Sequence, residues 1–175
     1  RIDGGQARHT KNMAKEPAMT REQAVQALEV GIHMVEELKE KGYGIIATGE
    51  MGIGNTTTSS AVTAVLLEQD PAEVTGRGAG LSGTGLKKKI SVIRDAIALH
   101  KPKKEDPIDV LAKVGGLDIA GMAGVFLGGA ACRIPVVADG FISCVAALCA
   151  IRICPEVKDY VITSHKSCLL YTSDA

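Results

Sequence analysis

The chain has no surplus of charge of either sign: lysine plus arginine number 20, and so do aspartate plus glutamate. That balance excludes the broad positive field on which nucleic-acid or anionic-membrane binding depends, so any recognition of charge has to be local. Long apolar runs are missing too. The most hydrophobic segment, residues 119–132, contains four glycines and falls short of the ~20 residues a helix needs to cross a bilayer. No segment joins a basic start to an apolar middle, so no signal peptide is read and the chain is expected to be soluble and cytoplasmic. The five cysteines, Cys132, Cys144, Cys149, Cys154 and Cys168, include no CxxC pair, and three of them step by five residues. A step of five turns a helix by about 140°, so these thiols do not converge, and no metal site is expected. No repeat of fixed period and no low-complexity stretch is present.

What the sequence does have is a length of 175 residues, enough to bury roughly 70% of the unfolded surface in one domain. Residues 21–41 place Val25, Leu28, Ile32 and Val35 at spacings of 3, 4 and 3, which predicts an amphipathic helix with that apolar stripe. Thr20 and Gln23 form a capping box at its start, and Gly42 ends it. A short strand over 43–48 follows, then a glycine turn and a helix over 55–68. Further helices are predicted over 87–99 and 108–114. Residues 119–132 are apolar nearly all round, as in a helix buried between layers, and Gly121, Gly124 and Gly128 lie on one face that another element can approach closely. Residues 134–138 read as a strand buried on both faces and running into Asp139-Gly140. A helix over 141–153 and a strand over 160–163 complete the pattern. Strands alternating with helices of ten or more residues predict an α/β fold, a parallel sheet with helices on both faces.

In such a sheet ligands bind outside the carboxyl ends of strands, and the turn MGIGNTTTSS, residues 51–60, occupies such a place. Gly52 and Gly54 permit positive φ and let backbone N–H groups approach a ligand. Asn55 or Thr56 is expected to cap the next helix, whose first N–H groups and dipole favour an anion, a phosphate being the natural candidate. No lysine precedes the hydroxyl run, as the Walker A pattern would require, so a monophosphate fits better than a triphosphate. A glycine turn that only tightens a βα junction is the competing reading. Glu50 would repel a phosphate it faced. It is therefore turned to solvent or aimed at the other end of a substrate, where it could act as a general base.

The blocks GEMGIGNTTTSSAV (49–62), PAMTREQA (17–24), GRGAG (76–80), KKKISVIRDAI (87–97), residues 109–143 and SHKS (164–167) resemble, in this order and spacing, the nicotinate-nucleotide:dimethylbenzimidazole phosphoribosyltransferase family of late cobalamin biosynthesis. The resemblance implies a Rossmann-like sheet with a small helical domain built from both chain ends, here mostly missing, and a homodimer. It implies transfer of the phosphoribosyl group of nicotinate mononucleotide to 5,6-dimethylbenzimidazole, releasing nicotinate, with no metal or organic cofactor. By the same resemblance Gly52, Gly54, Asn55, Thr56 and Thr57 would hold the 5′-phosphate, Met51 would flank the aromatic base, and Glu50 and Lys89 would be the charged active-site pair. Gly78 and Gly80 would leave room for ribose and phosphate. Asp139, Gly140 and Ser167 would contact nucleotide or nicotinate; Asp139 also reads as a helix cap, Lys89 as a solvated lysine, and Gly78 and Gly80 as a plain turn.

The resemblance further implies that residues 1–42 are an N-terminal helical part and 43–167 the nucleotide-binding core. Residues 168–175, CLLYTSDA, read as a non-native tail resembling a translated sequencing adapter. The family's principal catalytic glutamate belongs to an RLGEG-type motif downstream of SHxS, so this chain is expected to be inactive alone. A non-catalytic phosphate-binding or nucleotide-binding module is the alternative function.

Overall fold

The computed structural model describes residues 9–78 and 80–165. Three short parallel strands, β1 (Ile46–Thr48), β2 (Val136–Ala138) and β3 (Val161–Thr163), form one sheet in that order. Six helices surround it: α1 (Arg21–Glu40), α2 (Thr56–Leu67), α3 (Gly83–His100), α4 (Pro107–Val114), α5 (Leu117–Cys132) and α6 (Gly140–Ile153). The predicted α/β class is the observed one. Every predicted element is present, the strands trimmed at their ends. A 3₁₀ turn over Pro155–Tyr160, begun by proline and leading into β3, was not expected.

The start of α1 is fixed as its sequence dictates. The Thr20 hydroxyl accepts from Gln23 N–H, and the Gln23 side chain accepts from Thr20 N–H, satisfying two orphan donors at once. Gly42, at φ +84°, takes the left-handed position beyond the helix end. The buried stripe matches the predicted one at Leu28 and Val35 but not at Val25 and Ile32. Ala24, Ala27, Leu28, Gly31 and Val35 are buried, whereas Val25 and Ile32 are only half-buried.

The reason is α5, which is apolar nearly all round and lies against α1 with glycines on the shared face. A Cβ built on Gly31 would collide with the carbonyl oxygen of Gly121, and one on Gly124 with the carbonyl oxygen of Leu28. A Cβ on Gly128 would stand 3.0 Å from Ile32 Cα. The two backbones are nearly in contact, so the glycines define the seam, with Val35 packed against Gly128. The close approach expected of Gly121, Gly124 and Gly128 is thus met by α1. Phe126, Leu111, Ile119 and Val136 lie fully buried nearby and fill the core between helices and sheet.

Gly124→Ala should force the two backbones apart and destabilise the chain by about 1–3 kcal/mol, the usual cost of overpacking. Urea unfolding measures it, and a midpoint unchanged from the parent would contradict the seam.

Candidate functional site

The parallel pairing is in register, with Ile46 opposite Val136 opposite Val161, so that Thr48, Ala138 and Thr163 end level. Asp139 N–H then donates to Thr48 O (3.1 Å), and Ser164 N–H to Ala138 O (3.1 Å), carrying the alignment one residue further. Three chain segments, starting at Gly49, Asp139 and Ser164, therefore leave the sheet along one carboxyl edge. The Oδ2 atom of Asp139 lies 3.9 Å from where a Cβ of Gly49 would stand. Buried Ser143 braces this edge by donating to Thr48 O (3.3 Å).

The loop after β1 is open. Met51 and Ile53 are 83% and 74% exposed, and Gly52 and Gly54 have φ of +80° and +85°. A Cβ on Gly54 would meet nothing within 4 Å. The Glu50 carboxylate turns back and accepts from Gly52 N–H, so it holds one of the amides expected to face a phosphate. Neither Asn55 nor Thr56 caps α2 with its side chain. Asn55 is already in the right-handed helical region (φ −105°, ψ −2°), a conformation that carries its side chain away from the first-turn amides. Its Nδ2 donates instead to Asp118 Oδ2 at 2.6 Å, tying the loop to the first turn of α5. With no side-chain cap, the first N–H groups of α2 keep their partial positive charge available.

Lys89, on α3, is the buried member of the three consecutive lysines, at 7% exposure, while Lys87 and Lys88 are exposed. Its Nζ donates to Thr56 Oγ1 (2.9 Å) and to Gly76 O (3.2 Å), both neutral acceptors, and burial pulls its pKa below the ordinary lysine value. Gly78, at φ +56°, closes over this contact: a Cβ there would lie 2.9 Å from Thr56 Oγ1 and 3.7 Å from Lys89 Nζ. Gly80, at φ +97°, faces open space. Lys89, Thr56 and Gly78 are thus brought together. Thr57 is half-buried one position further along α2.

Asp139 precedes α6 but does not cap it. Its Oδ1 accepts from Ser164 Oγ (2.8 Å) and lies 3.3 Å from His165 Nδ1. Gly140, at φ +81°, opens α6 with clear space where a side chain would be. Ser167 and Cys168 lie outside the described residues. Beside Glu50, a cavity of about 390 Å³ runs between α1, α5 and the end of β1, lined by Met34, Leu38, Leu117, Met122 and Val125 with Asp118 at its polar end. Its size suits a small aromatic ring system. Among the described residues there is no metal-ligating cluster, Cys132, Cys144, Cys149 and Cys154 are free thiols, and no helix is long and apolar enough to cross a membrane. Burial raises the Cys149 pKa to about 12, so that thiol stays protonated.

Sequence reasoning missed Asp118, Ser143 and Ser164. Asp118 has the one signal that could have found it: an acid in the first turn of a helix that otherwise carries no charge.

Loops gathered at the carboxyl edge of a parallel α/β sheet are where such folds bind ligands, and comparison with known proteins gives the class. A family model described as Phosphoribosyltransferase matches residues 2–168, and the chain belongs to that family. Among curated relatives, the nicotinate-nucleotide–dimethylbenzimidazole phosphoribosyltransferase of Acetivibrio thermocellus is 59% identical over 158 residues, which are 90% of this chain and 45% of the relative. That of Geobacter metallireducens is 55% identical over 166 residues, covering 95% and 47%. A crystal structure of CobT from Thermus thermophilus superimposes with a TM-score of 0.87 at 38% identity, covering 92% of this chain and 48% of the other. The chain spans about half the length of the relatives it matches.

Because the native fold binds the Lys89 proton less tightly than the unfolded chain does, the unfolded chain holds more protons as pH approaches the ordinary value of 10.5. Stability contributed at this position must therefore rise with pH in that window, the full burial penalty being present at lower pH. Lys89→Met should lose this rise. Urea unfolding of both proteins from neutral pH up to pH 10.5 tests it, and parallel pH profiles would contradict it.

Proposed function

We propose that this chain carries the nucleotide-binding part of a nicotinate-nucleotide:dimethylbenzimidazole phosphoribosyltransferase. In this reading the 5′-phosphate of nicotinate mononucleotide sits at the start of α2, and residues 1–42 and 43–167 are the helical part and the α/β core. The observation that carries the reading is the buried Lys89 ammonium, which meets only neutral acceptors beside the uncapped N-terminus of α2. Two positive ends facing one another call for an anion between them. Gly52, Gly54, Asn55, Thr56, Thr57, Gly78 and Gly80 would surround it, and Asp139, Gly140 and Ser167 would complete the nucleotide side.

The apolar cavity beside Glu50 would take the aromatic acceptor, with Met51 at its edge. Turning the Glu50 carboxylate into that cavity would free Gly52 N–H for the phosphate. The chemistry is then economical in groups. The bond from the anomeric carbon to the pyridinium nitrogen breaks, and its electron pair neutralises the pyridinium, so no strong acid is needed. A benzimidazole nitrogen forms the new bond, and the imidazole proton passes to a carboxylate. Holding two rings about one ribose supplies much of the remaining rate. A cytoplasmic homodimer belongs to the same reading, on the strength of the family resemblance.

In a chain extended to the length of its relatives, nicotinate should be released from the mononucleotide only when dimethylbenzimidazole is present; release that ignores the acceptor would end the transferase reading. Gly54→Val should abolish mononucleotide binding, followed by calorimetry, at a stability cost of about 1–2 kcal/mol from the left-handed backbone. Unchanged affinity would remove the phosphate from this loop.

A further inference from the structure

Ser60 lies on the second turn of α2 at 1% exposure, and its hydroxyl has no hydrogen-bond partner. A helical serine can satisfy itself on a carbonyl one turn back, and its neighbours do so. Thr58 and Ser59 each donate to Asn55 O at 2.9 Å, and Thr63 to Ser59 O at 2.9 Å. The Ser60 hydroxyl instead lines a cavity of about 10 Å³, walled by Thr56, Gly76, Gly78, Lys89 and Phe141. That is room for about one oxygen-sized atom.

The groups around this space are mostly donors. Lys89 has three N–H bonds, and Thr56 and Gly76 accept two of them. Thr56 Oγ1, already accepting from Lys89, has its own proton to give. Phe141 contributes only apolar surface, which strengthens electrostatic interactions next to it. One Lys89 N–H and the hydroxyl protons of Ser60 and Thr56 are free to converge on this space, and three donors, one of them cationic, suit an anionic oxygen.

We infer that Ser60 is a ligand-binding residue, its hydroxyl donating together with Lys89 to one oxygen of a phosphate group, that oxygen alone entering this cavity. The inference rests on the proposed reading for the identity of the whole ligand, but the donor set requires only the phosphate.

Calorimetric titration of inorganic phosphate and of nicotinate mononucleotide into the parent chain and into Ser60→Ala, with thermal unfolding of both proteins free of ligand, tests it. The expected result is about tenfold weaker binding of both ligands by the variant, as for the loss of one hydrogen bond to a charged group. The Tm without ligand should be unchanged or higher, since the hydroxyl removed is buried and unpartnered. Equal affinities in parent and variant overturn the role of Ser60 and leave the wider reading intact. A variant with clearly lower Tm also overturns it, because the hydroxyl would then serve the fold. If the parent binds mononucleotide but not phosphate, the cavity is no phosphate seat; if it binds neither, the wider reading falls with it.

Discussion

The level ending of three parallel strands is the constraint on which the rest of the site depends. Side chains alternate along a strand, so a slip of one residue in either pairing would turn Thr48 or Thr163 to the opposite face and offset the loops that follow. With Ile46, Val136 and Val161 in line, the segments beginning at Gly49, Asp139 and Ser164 emerge side by side. The hydrogen bonds from Asp139 N–H to Thr48 O and from Ser164 N–H to Ala138 O extend this order into the loops themselves.

Strands of three residues cannot hold such order unaided, and the helices supply the support. The glycine seam between α1 and α5 sets the depth at which α5 lies, and α5 in turn places Asp118 against Asn55. α3 delivers Lys89 to Thr56, the next residue along. The C-terminal end of the glycine turn is therefore gripped at adjacent residues by polar contacts from two separate helices, Asn55 by α5 and Thr56 by α3.

Much of the fold could be read from the chain because its signals are local. The capping box of Thr20 and Gln23, the left-handed Gly42, and the alternation of strand with helix each need only neighbouring residues. The buried face of α1 could not be read so easily. Hydropathy favours Val25 and Ile32, but the partner surface is glycine-lined, and the helix turns its own small residues to it. The site divided in the same way. Gly52 and Gly54 were visible as residue types in a pattern and Lys89 only through the family resemblance, whereas the tie from Asn55 to Asp118 and the role of Asp139 as acceptor for Ser164 depend on partners distant in sequence. No hydrophobic period announces those.

The Glu50 carboxylate on Gly52 N–H gives the loop a tethered competitor for its own amide. A group held two residues away acts at an effective concentration in the millimolar range or above. An anion reaching that amide alone has to displace the carboxylate with a single contact. In the proposed reading, a ligand that also met Lys89 and the first turn of α2 would bring the further contacts needed to displace it, so the turn would favour ligands that make several contacts at once.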